Sequence, residues 1–280
     1  MAEDFQLEAP APSTGMPALS PVQVPPTPPQ AGEVFGERLA LAEQFVAILA
    51  DTGISHGLIG PREASRLWDR HVLNCAVVHR GIASTSPGSR QRVIDVGSGA
   101  GLPGLALAIA RPDLEIHLVE PLTRRTGWLS GTVATLGLDN AMVHTARAED
   151  LWDRLTVPYV TARAVSGIVQ LAAWTLPLLS PGGSLLAIKG ARAEEELATN
   201  RAALHRMGVA EASIEVWGDE LPTPTTVLRL TIGDPVDRRR FTQRGGSSAG
   251  SARRRADRPG GSRVMTRADG SGRRSRGGAS

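Results

Sequence analysis

The pattern of apolar and polar positions divides the chain into a helical N-terminal part and a longer part in which strands and helices alternate. Apolar residues recur at helical spacing over 33–51, and Pro61, at the favoured first position, begins a second predicted helix over 61–82. Further along, short apolar runs predict seven strands, at 92–96, 116–120, 141–146, 158–163, 183–189, 213–217 and 226–232. Helical spacing between these runs predicts helices at 103–110, 122–137, 166–179 and 192–207.

Strands that alternate with helices predict an α/β fold, in which a mostly parallel sheet of seven strands is covered by helices on both faces. The last two strands follow one another without a full helix between them, which is typical of a terminal antiparallel pair. Ligands of such sheets bind beyond the carboxyl ends of the strands, near the switch point beside the first strand. The candidate residues at those ends are Asp95, Glu120, Ala148, Glu149, Arg163 and Lys189.

The segment after the first strand is rich in glycine. Residues 93–104 read V-I-D-V-G-S-G-A-G-L-P-G. Gly97, Gly99 and Gly101 carry no Cβ, so the backbone can turn tightly there and approach a ligand closely. A strand, a glycine turn and a helix together are typical of a site for a nucleotide-like cofactor. A glycine loop without any ligand is disfavoured, because acids stand at the ends of this strand and the next.

Two cofactors fit this segment. Gly99, Gly101 and Gly104 match G-x-G-x-x-G, the dinucleotide pattern. Asp95 together with the three glycines at 97, 99 and 101 matches D-x-G-x-G-x-G, the pattern of S-adenosylmethionine (AdoMet) methyltransferases. Asp95 favours AdoMet, because a carboxylate repels a pyrophosphate but suits a sulfonium and an ammonium. Glu120, at the end of the next strand, is placed to bind a ribose in either cofactor.

Composition narrows the class of protein. A chain of 280 residues predicts one domain of about 200 residues with tails. Cys75 is the only cysteine, which excludes a disulfide framework and indicates a reducing compartment, and the six histidines show no metal-binding spacing. There is no apolar run of about 20 residues, so we expect no membrane span. A signal peptide has a basic region near its start, and no basic residue precedes Arg38. We therefore expect a cytoplasmic protein that binds neither metal nor membrane.

Charge is distributed unevenly and marks the ends of the chain. Residues 1–31 contain eight prolines and predict a disordered leader, followed by a helical segment over 32–90 and the α/β core over 91–236. Residues 237–280 hold 13 Arg and 3 Asp, a net charge of +10, whereas the whole chain carries +3. We expect this tail to be disordered. It is either a nonspecific RNA-binding arm or a solvated tail without a ligand.

Two basic residues at strand ends are candidates for chemistry. Lys189 is the only lysine in a chain with 30 arginines, which suggests that its position needs a compact ammonium, although chance would also explain it. Arg163 ends an apolar strand, where an arginine is costly to bury without a partner. It could bind the AdoMet carboxylate, a phosphate or the edge of a guanine, or form a salt bridge with an acid such as Asp95.

Other candidates lie around the same mouth. Glu149 could accept a hydrogen bond from the adenine amino group beside the Ala148 backbone, or could simply be the first acid of a helix. Leu102 packs either against the cofactor or against the sheet. Arg124 and Arg125 could contact RNA phosphates or belong to a solvated helix face. A final group shares one face of the second predicted helix and could line the substrate side: Arg70, His71 and Asn74.

We find no candidate for a catalytic base, and methylation of guanine N7 does not need one. N7 has an exposed lone pair and carries no hydrogen, so alignment of the nucleophile, the methyl group and the sulfur supplies much of the rate. An amine or hydroxyl substrate would need a proton acceptor. The chain also lacks an N-P-P-Y-type tetrapeptide after the fourth strand, which disfavours methylation of an exocyclic amine.

Over about residues 35–232 the chain resembles the 16S ribosomal RNA guanine-N7 methyltransferases, the RsmG (GidB) family. The stretches that carry the resemblance are L-W-D-R-H-V-L-N-C at 67–75, the glycine segment at 93–104, I-A-R-P-D-L at 109–114, R-A-E-D at 147–150, A-R-A-V at 162–165 and L-A-I-K-G at 186–190. The chain departs from the family at Glu120-Pro121, where many members have Asp-Ser, and in its leader and tail.

The resemblance implies a class I AdoMet-dependent methyltransferase fold and methylation of N7 of a guanine in the 530 loop of 16S rRNA, guanine 527 in the standard rRNA numbering. It also implies that the substrate is naked rRNA, the small ribosomal subunit or an assembly intermediate, with a monomeric enzyme as the default. The implied AdoMet contacts are Gly97, Leu102, Ala148, Glu149 and Arg163.

Three other functions are compatible with parts of the sequence. They are a methyltransferase of a small molecule or protein, a nonenzymatic RNA-binding protein with this fold, and a dinucleotide-dependent oxidoreductase. An intact D-x-G-x-G-x-G motif disfavours the second of these.

Overall fold

The computed structural model describes residues 24–163 and 165–242, in which seven strands form one sheet with the order β3-β2-β1-β4-β5-β7-β6. The strands are β1 Gln91–Val96, β2 Leu114–Glu120, β3 Ala141–Thr145, β4 Val157–Arg163, β5 Leu179–Ile188, β6 Val209–Trp217 and β7 Thr225–Ile232. Strand β7 is antiparallel to β5 and β6, and all other pairs are parallel. The predicted fold class is confirmed, including the terminal antiparallel pair.

Eight α-helices occur in the described ranges: α1 Pro29–Phe35, α2 Leu39–Ile48, α3 Leu73–Ala76, α4 Gly104–Ala110, α5 Thr123–Thr135, α6 Ile168–Thr175, α7 Ala193–Arg206 and α8 Arg239–Thr242. Helix α1 begins inside the predicted leader, and its Ala31 is buried. Helix α8 lies inside the predicted tail. The remainder of the leader and tail, 1–23 and 243–280, lies outside the described residues. No helix in the described part is long and apolar enough to cross a membrane.

The second predicted helix, 61–82, is helical but not uniform. A 3₁₀ turn at Pro61–Arg66 is followed by a π turn at Leu67–Val72, by α3 and by a second 3₁₀ turn at Val77–Gly81. The residues from His71 to Val78 are all buried. A segment buried on every side is shaped by its neighbours and not by one apolar stripe, so a single regular α-helix was the wrong expectation.

Strand β5 starts four residues earlier than predicted. The letters S-P-G-G at 180–183 are typical of a turn. In the structure, however, Leu179 pairs with Val157 of β4, and a register shift follows before Ser184 pairs with Tyr159. Gly182 adopts a φ of +73°, which lets the strand bulge and continue.

Two apolar clusters fill the two faces of the sheet. The N-terminal helices pack with α4 and α5 over one face, around Phe45, Leu67 and Leu105. Helices α6 and α7 cover the other face, around Val160 and Leu171. The N-terminal segment is also bound to the connection before β7, because Asn74 Nδ2 donates to the Thr223 carbonyl at 3.3 Å and Thr225 Oγ1 donates to the Asn74 carbonyl at 2.8 Å. This segment therefore reaches the carboxyl edge of the sheet.

Gly104 lies where α4 packs most closely on the sheet. A Cβ built on it would lie 2.3 Å from Leu118 Cδ2 and 2.7 Å from Asp95 Oδ2. Gly131, in α5, has nothing within 4 Å of the same position. We expect Gly104→Ala to lower the free energy of unfolding by about 1–3 kcal/mol, because the added methyl group overpacks a closed interface.

Urea denaturation of both alanine variants measures this effect. Gly131→Ala is the control, and we expect it to be neutral or to stabilise the protein by up to about 1 kcal/mol, as alanine replaces glycine within an open helix. Equal stability of Gly104→Ala and the wild type would contradict the close packing of α4.

Candidate active site

The loop between β1 and α4 turns on three glycines in the left-handed region. Gly97, Gly99 and Gly101 have φ values of +76°, +52° and +78°. A Cβ on Gly97 would lie 3.0 Å from Val165 Cγ2, so the glycine loop directly adjoins the segment after β4. The predicted tight turn is thus present at the carboxyl edge of the sheet.

Most backbone amides of this loop donate hydrogen bonds inside the protein. The amides with internal acceptors are those of Gly97, Ser98, Gly99, Gly101, Leu102, Gly104 and Leu105. A pyrophosphate at a helix N-terminus needs such amides free to donate. The loop therefore disfavours a dinucleotide and is compatible with AdoMet, which has no phosphate.

Glu120 ties the loop to the end of β2. Its carboxylate is 2 % exposed and accepts hydrogen bonds from the amides of Gly99, at 3.1 Å, and Leu122, at 3.2 Å. Arg125 Nη1 lies 3.5 Å from the same carboxylate. Each carboxylate oxygen has further acceptor capacity, so Glu120 can hold the loop and still accept from a ribose hydroxyl.

Asp95 is fully buried and holds three elements together. Its Oδ2 accepts from the Gly104 amide at 3.1 Å and its Oδ1 from Thr161 Oγ1 at 3.2 Å, which joins β1, α4 and β4. Burial raises the pKa of Asp95 to about 6, although these hydrogen bonds oppose the increase. In this arrangement, Asp95 fixes the start of α4 and the shape of the glycine loop.

Arg163 does not pair with Asp95, one of the alternatives considered above. Its half-buried guanidinium instead turns toward the N-terminal segment. Nη1 donates to Cys75 Sγ at 3.2 Å, and Nη2 donates to the Arg70 carbonyl at 3.2 Å and to His71 Nδ1 at 2.9 Å. Three of its five N–H groups have these acceptors, and the other two have none among the described residues and can donate to a ligand.

Lys189, at the end of β5, is held by the loop that follows β4. Its Nζ lies 2.7 Å from Glu196 Oε2 and donates to the Ser166 carbonyl at 3.2 Å. Glu196 Oε1 also accepts from the Ile168 amide at 2.6 Å. Burial opposes ionisation of Glu196, but the hydrogen bonds from Lys189 and Ile168 lower its pKa overall. The ammonium is therefore well ordered at the mouth.

A cavity of about 470 Å³ opens between the ends of β4 and β5 and the N-terminal segment. Its polar lining includes Arg70, Asn74, Arg163, Ser166, Lys189 and Thr223. Val165, which adjoins the glycine loop, lines the same cavity. The structure thus brings together most of the residues predicted for the substrate side, and His71 lies behind Arg163.

The residues predicted to contact the adenine, Ala148 and Glu149, lie after β3, whereas Leu102 lies in the glycine segment after β1. Ala148 is buried in a 3₁₀ turn after β3, and Glu149 beside it is partly exposed. Asp150 caps that turn by accepting from the Arg147 amide at 3.0 Å, and Glu149 also lies in its first turn, as the alternative of an acid at a helix start expects. Leu102 is buried within the apolar cluster that includes α4, which matches packing against the protein.

Sequence reasoning missed three residues that organise the site: Glu63, Thr161 and Glu196. Each acts through a contact between separate elements, such as the bond of Thr161 in β4 to Asp95 in β1 or of Glu196 in α7 to Lys189 after β5. No local motif marks such residues. Of the two arginines after Glu120, Arg125 is paired with it and Arg124 is exposed.

The chain is similar to known proteins over most of its length. A family model described as GidB, rRNA small subunit methyltransferase G, matches residues 38–222. "Ribosomal RNA small subunit methyltransferase G" of Paenarthrobacter aurescens is 51% identical over 206 residues, which are 73% of this chain and 93% of that protein. The protein of the same name from Streptomyces coelicolor is 46% identical over 235 residues, 83% of this chain and 96% of that protein.

The raised pKa of Asp95 generates a pH-dependent prediction. Because the folded-state pKa, about 6, exceeds the ordinary value of 3.8, Asp95 costs stability as the pH rises through this range. An asparagine at this position would keep an acceptor for the Gly104 amide but would not titrate. We expect the stability of Asp95→Asn relative to the wild type to increase between pH 4 and 6.5 by up to about 3 kcal/mol and then to level off.

Urea denaturation of the ligand-free protein across this pH range measures the difference. Subtracting the wild type removes the contributions of the other titrating groups. If the difference in free energy of unfolding between Asp95→Asn and the wild type does not change with pH, the pKa of Asp95 is not raised in the folded protein.

Proposed function

We infer the function of this chain from its membership of the rRNA small subunit methyltransferase G (GidB) family, to which it belongs. We propose that it methylates N7 of a guanine in the 530 loop of 16S rRNA. In the standard rRNA numbering this is guanine 527. The observation that carries the proposal is the cavity in which Arg163 and Lys189 meet beside the glycine loop. A methyl donor on the loop and a base in the cavity would be neighbours.

AdoMet is the methyl donor, and it supplies an electrophilic methyl group on a sulfonium. Gly97, Gly99 and Gly101 carry no Cβ, so the backbone of the glycine loop can approach AdoMet closely. Glu120 accepts from the ribose, and Ala148 and Glu149 lie where the adenine would be bound. Leu102 supports the loop from below, while Asp95 keeps it in shape and adds negative charge near a cationic ligand.

The substrate side of the cavity is cationic. Arg70, Arg163 and Lys189 line it. Lys189 pairs with Glu196 and Arg70 Nη1 lies 3.5 Å from Glu63, so among the described residues Arg163 is the lining cation without a carboxylate partner. Such a lining suits RNA, whose phosphates need counter-charges. Arg163 retains N–H groups that can donate to guanine O6 and leave N7 free as the nucleophile. The proposed role of Arg163 and Lys189 is therefore to position the base.

Methyl transfer to N7 releases no proton from the base, so the cavity needs alignment more than a general base. The base must first leave its stack to enter a cavity of this kind. We place the reaction in the cytoplasm, on a monomeric enzyme that acts on 16S rRNA, either naked or within the small subunit or an assembly intermediate.

The first experiment is transfer of labelled methyl from AdoMet to small-subunit rRNA, with the product nucleoside identified and its position mapped. N7-methylguanosine in the 530 loop is the expected result. Naked rRNA, small subunits and assembly intermediates are assayed separately to identify the substrate form. AdoMet binding without transfer to any of them would reject the proposal and favour a small molecule or a protein as substrate.

Substitution of Lys189 tests its role in the cavity. Arginine keeps the charge but replaces the compact ammonium that contacts Glu196 and the Ser166 carbonyl with a planar fork. We expect Lys189→Arg to lower kcat/KM for rRNA by about tenfold or more, since misplacement of a positioning group by about 1 Å costs up to about a hundredfold in rate.

Arg201→Lys, on the exposed part of α7, is the matched control and should keep its activity. AdoMet affinity and melting temperature are measured for both variants to separate a local effect from unfolding. Full activity of Lys189→Arg would remove Lys189 from the proposed positioning group.

A further inference from the structure

Arg163 is held in the cavity by uncharged acceptors. Within the described ranges it forms no ion pair with a carboxylate, and its acceptors are the Cys75 thiol, the Arg70 carbonyl and the His71 ring. The contact with His71 Nδ1, at 2.9 Å, is the shortest of the three. The orientation of this guanidinium therefore depends on the state of the His71 ring.

The chemistry of the pair determines that state. A guanidinium only donates hydrogen bonds, so His71 Nδ1 must present a lone pair. A neutral imidazole then carries its proton on Nε2, and His71 Nε2 lies 3.0 Å from Glu63 Oε2. Glu63 accepts that proton's hydrogen bond and so selects the tautomer in which Nδ1 is free to accept from Arg163.

We propose that Glu63 and His71 are positioning residues for methyl transfer, in which Glu63 fixes the Nε2–H tautomer of His71 and His71 Nδ1 holds Arg163 toward the guanine. The proposal rests on the proposed function, because it takes Arg163 as the group that meets the base. Neither residue touches the reacting atoms. Both act through the direction of the guanidinium.

The charged groups that face His71 agree with a neutral ring. They are Glu63 from the preceding 3₁₀ turn, Arg70 on the same π turn as His71, and Arg163 from β4. Burial and the charge of Arg163 lower the pKa of His71, and Glu63 only partly opposes this. A proton on Nδ1 would set two donors against each other. The hold on Arg163 is therefore present at neutral pH and lost as the pH falls through the folded-state pKa of His71.

A second Glu–His pair in the chain provides a matched control. His117 Nε2 lies 3.0 Å from Glu115 Oε1, and the side chains of Glu63 and Glu115 are 30% and 32% exposed. Nδ1 of His117, however, faces His144 at 2.9 Å and contacts no arginine. A purely structural Glu–His pair is thus available in the same protein.

The experiment measures the single-turnover rate of rRNA methylation at saturating AdoMet for the wild type, Glu63→Ala, Glu63→Gln and Glu115→Ala. We expect Glu63→Ala to lower the rate about 10- to 100-fold, since a misdirected guanidinium misaligns the base. Glu63→Gln keeps a carbonyl acceptor for Nε2–H and should retain most of the rate. Glu115→Ala should keep its rate, with a change in melting temperature similar to that of Glu63→Ala.

Two further readouts separate positioning from general damage. In the Arg163→Lys background, Glu63→Ala should cause no additional loss of rate, because the residue through which it acts is already altered. In Glu63→Gln, the acidic limb of the pH–rate profile should move to lower pH, because the charge of Glu63 raises the pKa of His71. Equal losses in both Arg163 backgrounds would overturn the proposal.

Nitrogen-15 NMR of the histidine rings tests the tautomer without any assay of activity. We expect His71 in the wild type to show a bare Nδ1 and a protonated Nε2, and Glu63→Ala to show a mixture of tautomers. A protonated Nδ1 in the wild type would overturn the proposal. If the wild type does not methylate guanine N7, the proposed function fails, but this spectrum still decides whether Glu63 sets the His71 tautomer.

Discussion

The site depends on one buried carboxylate at the end of the first strand. Asp95 accepts from the Gly104 amide and from Thr161, so it sets the start of α4 relative to both β1 and β4. Glu120 adds a second anchor at Gly99. A loop of glycines has little conformational preference of its own, and these two acceptors restrict it to one shape. Most of its other amides also donate inside the protein, which disfavours a phosphate more directly than the sequence motif does.

On the opposite side of the mouth, Arg163 is held by neutral acceptors, whereas Lys189 pairs with Glu196 and Arg70 with Glu63. Arg163 donates to a thiol, a carbonyl and an imidazole, and Lys189 donates to a carbonyl in addition to its contact with Glu196. A guanidinium that keeps its charge uncompensated remains attractive to an electron-rich base or a phosphate. A bidentate salt bridge would have ordered the same side chain equally well but would have neutralised it.

The N-terminal segment is a wall of the site as well as a cover for the sheet. His71 and Asn74 lie on consecutive turns, where one reaches Arg163 and the other binds the connection before β7. The helical pitch changes along 61–81, and the part from His71 to Val78 is buried on all sides. Damage to this segment would therefore reach both the apolar core and the orientation of Arg163, which is why matched variants are needed to separate stability from catalysis.

The sequence by itself determined the fold class, the seven strands and the glycine loop, because strand and helix periodicity and glycine conformation are local properties. It also placed Arg163 and Lys189 at the mouth, since parallel strands end at a common edge, and put Asn74 on a helix face that could line the substrate side. Only the tertiary structure decided what each of these side chains contacts. Thr161 on Asp95, Glu196 on Lys189 and Glu63 behind His71 are contacts between separate elements, and no spacing along the chain encodes them.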